Sequence, residues 1–150
     1  MRNDQVDVLL PVAASSITAL CTILIHSVAL GASVNLVRHE RKLGRVGSGL
    51  WADLGIFVLT ISFAFAAHLI EITLWAGLFL ICGEFKSFAL AFYHSAGNYT
   101  TLGSGDLIMT SSWKLLGPLE AANGALMFGV STAMIFAVAQ RLMRAKFGDL

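Results

Sequence analysis

Long apolar runs separated by short polar breaks dominate this chain. From Val8 to Val37 no residue carries a formal charge, which at about 1.5 Å of helical rise per residue is long enough to cross the hydrocarbon core of a bilayer with some tilt. The run stops at Arg38-His39-Glu40-Arg41-Lys42-Leu43-Gly44-Arg45 and Val46-Gly47-Ser48-Gly49, where charge and glycine together predict a short loop. A second apolar segment extends from Leu54 to Gly83, broken only by His68 and Glu71, and a third, rich in Ala, Gly and Ser, from Leu119 to Leu142. The stretch between them differs. Its first half, from Glu84, is an apolar and aromatic helix candidate of roughly 12 residues, about 18 Å long and too short to cross. Its second half, Thr100 to Gly105, is polar and contains glycine, and its backbone would find no hydrogen-bond partners in lipid. Such a segment must dip into the membrane and return, inside protein or along a water-filled path.

The pattern predicts an all-α membrane protein with three transmembrane helices and one re-entrant helix and loop. Residues 1–150 form a single membrane domain: a first span at 8–37, a loop at 38–53, a second span at 54–83, the re-entrant segment at 84–118, a third span at 119–142 and a tail at 143–150.

Composition closes off the alternatives. With 57% hydrophobic and only 13% charged residues and a mean hydropathy of +0.77, a soluble domain of this size lacks the polar residues to cover its surface. Three spans of ~20 residues use about 60 residues and leave little room for an appended enzyme or regulatory domain. The expectation is therefore a protein that is not an enzyme. A net charge of +1 without a basic face gives no reason to expect nucleic acid, so the lipid bilayer is the partner. The start, Met1-Arg2-Asn3-Asp4-Gln5-Val6-Asp7, is mixed to acidic and suits a cleavable signal peptide poorly. Cys21 and Cys82 lie in apolar stretches without metal-ligand spacing and read as small buried side chains.

Charge also predicts orientation. Seven of the ten basic residues follow the first span (Arg38, Arg41, Lys42, Arg45) or lie at the end of the third (Arg141, Arg144, Lys146), which places both regions in the cytoplasm. The amino terminus is then outside, the carboxyl terminus inside and the re-entrant segment open to the outside, in a cell inner membrane. Trp51 and Trp113 stand where interfacial anchors are expected. No span carries arginines at every third position, which argues against a voltage sensor.

The re-entrant segment carries the most specific signal. Thr100-Thr101-Leu102-Gly103-Ser104-Gly105-Asp106 resembles the Thr-Thr-Val-Gly-Tyr-Gly-Asp signature of the potassium-channel pore-loop family, matching at five of seven positions. The resemblance extends over about Leu54 to Leu142, with the first span outside the minimal two-helix pore. It implies a homotetrameric cation channel in which four chains stack rings of backbone carbonyl oxygens that replace an ion's hydration shell. Monovalent cations would sit at Thr101, Leu102, Gly103 and Ser104. Gly103 and Gly105 can take positive φ and so let the backbone alternate. Asp106 would close the outer mouth, and the helix end near Gly97 would turn its negative dipole end toward the cavity. Potassium is the expected permeant ion, and no cofactor is implied.

The sequence also departs from that family. Ser104 replaces the signature aromatic and Leu102 the valine, Tyr93 and His94 stand where tryptophans often support the filter, and Gly97 stands where many members carry a carboxylate. The resemblance with these changes implies a looser filter, open to sodium as well as potassium.

Other polar residues lie at membrane depth. His68 and Glu71, three residues apart, share one helical face and read either as a satisfied structural pair or as a proton-sensitive gate. Ala125, Gly129, Ala133 and Ala137 recur every fourth residue, as close helix packing or a cavity lining would require, with Gly124 or Gly129 as a bending point. Glu120 and Asn123 are placed to support the back of the filter. The rival reading is a haem-binding membrane anchor of a respiratory oxidoreductase with His26 and His68 as ligands; against it, His26 is expected several residues nearer the inner side than His68.

Overall fold

The computed structural model describes residues 8–103 and 107–148. Among these, all regular structure is helical: α1 (Leu9–Lys42), α2 (Leu50–Ile81), α3 (Phe88–Tyr99) and α4 (Leu116–Phe147). Three of them, α1, α2 and α4, are long and apolar enough to cross a membrane. The expected all-helical class and the set of three long helices with one short helix are both present.

Local chemistry sets the ends. Pro11 and Pro118 both fall in the first turn of their helices, where the missing N–H is not needed. α1 runs past Val37 through the charged residues to Lys42, because His39, Arg41 and Lys42 in its last turn oppose the negative end of the helix dipole. It stops at Gly44, whose φ of 69° lets the Arg45 amide reach back to Glu40 O at 3.0 Å. α2 ends the same way at Gly83, φ 75°, with the Glu84 amide on Phe79 O at 3.1 Å. Within the long helices the hydroxyls of Thr18, Ser33, Thr60, Ser62, Thr73 and Thr132 bond back to the carbonyl four residues earlier. These side chains therefore bring no unsatisfied polar group to an apolar medium.

The chain divides into two compact units, residues 1–24 with 69–127 and residues 25–68 with 128–150. In the first, Ile72, Trp75, Ala76 and Phe79 of α2 pack with Ala91 and Tyr99 of α3 and Leu116 and Met127 of α4. In the second, Val37 of α1, Ile56 of α2 and Val138 and Leu142 of α4 form the core. The distribution is the reverse of a soluble protein. Buried positions include Thr22, His26, His68, Glu71, Glu120, Asn123 and Ser131, while large apolar side chains such as Ile17, Leu24, Val28, Phe65 and Phe136 are exposed. Polar side chains joining helices inside and apolar ones outside suit a protein whose solvent is lipid.

Candidate functional site

The short helix α3 occupies the first unit and is held from two sides. Ser87 caps its start, accepting the Leu90 amide. Ala91, His94, Ser95 and Tyr99 form its buried stripe at helical spacing. The Ser95 hydroxyl lies 2.9 Å from Ile72 O on α2 and 2.5 Å from Glu120 Oε1 on α4. One turn later the Tyr99 hydroxyl donates to Glu71 Oε2 of α2. Glu71, Tyr99, Ser95 and Glu120 have no exposed surface. Hydrogen bonds to carboxylates in a water-poor setting are strong, so α3 is pinned to α2 and α4 by two buried acids at successive turns. Toward its start, the His94 ring sits 5.3 Å from that of Phe79 and 4.9 Å from that of Phe85.

α3 ends at Tyr99 with Thr100 as its cap, two residues beyond the expected end near Gly97. The extension follows from local bonds: the Thr100 amide and hydroxyl both reach Ala96 O, at 3.2 and 2.7 Å. The next amides turn back as well, Thr101 to Asn98 O at 2.8 Å and Gly103 to Gly97 O at 3.0 Å. Thr101 has φ 62° and Gly103 φ 78°. Left-handed conformations at alternate residues thus begin at a threonine, where such backbone is costly, and recur at the glycine where the sequence predicts one. Thr100, Thr101, Leu102 and Gly103 are all exposed, Leu102 to 85%. Ser104, Gly105 and Asp106, named above as filter residues, lie outside the described residues.

After the loop the chain is tied down again. The Glu84 carboxylate accepts the Thr110 amide at 2.8 Å and the Thr110 hydroxyl at 2.5 Å, bridging the entry and exit of the re-entrant segment. α4 then passes directly against the end of α3. A Cβ on Gly124 would lie 2.1 Å from Tyr99 O, and one on Gly117 would lie 3.3 Å from Asn98 Nδ2. Gly124 is therefore a close-approach position, required by the backbone it touches. Gly129 differs: a Cβ there meets nothing within 4 Å.

The site is thus a short helix pinned between two long ones and followed by an exposed loop with left-handed residues at alternate positions. A family model described as an ion channel matches residues 56–141, more than half of the chain. The chain belongs to this ion-channel family. Neither curated proteins nor solved structures yield a match. Membership, with three helices apolar enough to cross a bilayer, makes the chain an integral membrane protein that serves ion transport. The matched residues take in α3, the loop and most of α2 and α4, and leave α1 outside.

The remaining site residues fall into place around this channel element. Tyr93 is 56% exposed, on the opposite side of α3 from its buried stripe, whereas His94 is buried among aromatic rings. Gly97, half-buried, contributes its carbonyl to the Gly103 amide. Of the two residues expected behind the loop, Glu120 does contact α3, but Asn123 turns to α1, donating from Nδ2 to Thr22 Oγ1 at 3.0 Å. Ala125, Gly129, Ala133 and Ala137 all face outward from the chain.

In the second unit one correction is needed. His26 and His68 are level with each other, their ring centroids 5.1 Å apart, and both place Nε2 at 2.9 Å from Ser131 Oγ. The offset expected from span ends does not keep them apart, because both rings converge on the one Ser131 hydroxyl. The proximity does not favour a haem between them: a macrocycle would need the space that the Ser131 hydroxyl fills.

Sequence reasoning missed Ser95, Tyr99 and the Glu84–Thr110 bridge. A signal was present in the two carboxylates inside apolar spans, which need donors there, and in Ser95 and Tyr99, four residues apart on one face of α3.

Proposed function

We propose that this ion channel is a homotetrameric, cation-selective pore in which Thr100–Asp106 of each chain form the filter and potassium is the favoured ion. The observation that carries this reading is the pair of left-handed residues, Thr101 and Gly103, two apart on an exposed loop. Alternation of this kind is what a backbone needs to present successive carbonyl oxygens to one axis. Exposure of the loop and of the Ala125–Gly129–Ala133–Ala137 face in a single chain leaves both available to neighbouring copies. The basic ends of α1 and α4 orient the filter outward, with the amino terminus outside and the carboxyl terminus in the cytoplasm of a cell inner membrane.

Ser104 offers no bracing ring, so sodium is expected to permeate alongside potassium. Single-channel recording of the purified protein in asymmetric potassium and sodium tests the proposal. A reversal potential that tracks the potassium gradient is expected; one that ignores potassium in favour of sodium or protons refutes it. Ser104→Tyr is expected to sharpen selectivity or reduce flicker.

Gating falls to α4 and to the buried polar groups, with Gly124, Gly129, His68 and Glu71 as the residues concerned. Protonation of His68 would disturb its contact with Ser131. Conductance that stays flat from pH 5 to 8 in both the wild type and His68→Ala removes the histidine from gating.

A further inference from the structure

The ends of α1 and α4 line an open basic cavity. It lies within the unit of residues 25–68 and 128–150 and has a volume of about 480 Å³. Arg41 of α1 and Arg141, Arg144 and Gln140 of α4 line it, with Val46 and Ala145 among its apolar surfaces. Tight packing builds one side. Gly47, φ 76°, lies so close to α4 that a Cβ would be 3.0 Å from the Ala145 backbone. Its amide donates to Asp53 Oδ1 at 2.9 Å, which fixes the turn to the head of α2.

Three arginines line the cavity, and no carboxylate among the described residues does. No acid among the described residues pairs with Arg41, Arg141 or Arg144; Glu40 faces Arg45 instead, at 3.5 Å. Cations at helix carboxyl ends are expected from the dipole, and on the cytoplasmic side from topology. Neither reason by itself brings three arginines from two helices onto one cavity with no acid among the described residues beside them. Their planar forks match phosphate oxygens.

We propose that this cavity binds the phosphate of an anionic phospholipid headgroup. Inorganic phosphate offers the same chemistry, but the site sits at the ends of two helices long enough to span a bilayer, where headgroups are concentrated and the adjoining apolar helix surfaces suit acyl chains. Because Arg41 is on α1 and the other two arginines are on α4, the bound phosphate ties the first helix, which lies outside the matched family residues, to the third span. The inference is independent of ion selectivity.

Lipid retention by the full-length protein in detergent, read by native mass spectrometry, tests it. Dioleoyl phosphatidylglycerol is expected to be retained about tenfold better than dioleoyl phosphatidylcholine. Arg41→Gln should weaken phosphatidylglycerol binding about fivefold, and the Arg41, Arg141, Arg144→Gln triple variant more than tenfold, at roughly fivefold per arginine. Lys86→Gln with Lys114→Gln, which removes two cations elsewhere, should bind as wild type does. Equal retention of the two lipids overturns the proposal, as does unchanged binding by the triple variant. Complete displacement of the lipid by millimolar inorganic phosphate shows a free-phosphate site and overturns the lipid assignment. Arg41→Gln alone decides the matter if the triple variant does not assemble.

Discussion

Gly124→Ala places one methyl group against the end of α3. An ideal Cβ at position 124 lies 2.1 Å from Tyr99 O, 2.9 Å from Tyr99 C and 3.1 Å from Tyr99 Cγ, whereas ordinary contact begins at 3.4 Å. The carbonyl must therefore retreat by about 1.3 Å or α4 must bend away, since overpacking is relieved only by displacement. Tyr99 cannot yield freely, because its hydroxyl is bound to Glu71 and its backbone leads directly into Thr100–Gly103. Overpacking of this kind costs about 1–3 kcal/mol, against a gain of about 1 kcal/mol from replacing glycine by alanine within a helix. A net loss of up to about 2 kcal/mol follows, and the displaced carbonyl adjoins the Thr100–Gly103 loop. Gly129→Ala is the matched control, with the same helical gain and nothing within 4 Å to resist it. Thermal unfolding in detergent and ion flux from liposomes should be measured for both variants. Gly124→Ala is expected to unfold earlier and lose most of its flux, while Gly129→Ala is at least as stable as wild type. Wild-type stability and flux in Gly124→Ala would refute the close-approach argument.

Four further substitutions probe the side-chain contacts between segments. Tyr99→Phe removes the donor to Glu71 and Ser95→Ala the donor to Glu120; each should cost about 1–3 kcal/mol, and unfolding midpoints equal to wild type in both would count against the two-acid clamp. Glu84→Gln keeps the shape of the loop bridge but removes its charge and one of its two acceptor oxygens. Faster amide exchange at Thr110 is expected, with little change in the helices. Ser131→Ala takes away the hydroxyl shared by His26 and His68 and should lower stability by about 1–3 kcal/mol; a double-mutant cycle with His26→Ala that shows additive losses would deny the shared contact.

Span number, the short helix and the loop motif were legible because each depends on a one-dimensional quantity. Length and hydropathy decide whether a segment can cross a bilayer, and the order of residues in Thr100–Asp106 is itself the signal. Contacts between helices were not legible for the opposite reason. α1, α2 and α4 are apolar almost all round, so the pattern does not say which face of each turns inward. Asn123 could have met the loop or α1, and only the rotation of α4 chose Thr22. The same rotation brought Glu120 to Ser95 and Gly124 to Tyr99 O.

The boundaries show the same division on a smaller scale. Charged residues after Val37 predict a loop, yet α1 continues to Lys42, because cations are welcome at a helix carboxyl end. That continuation brought Arg41 to the same cavity as Arg141 and Arg144. By itself the sequence determined the medium of this protein, how many helices can cross it, and which loop resembles a filter, since these follow from local composition and order. Tertiary structure alone decided which partners satisfy its buried acids and histidines, and why α4 carries glycine at position 124, since both depend on how residues far apart in the chain are brought within a few ångströms.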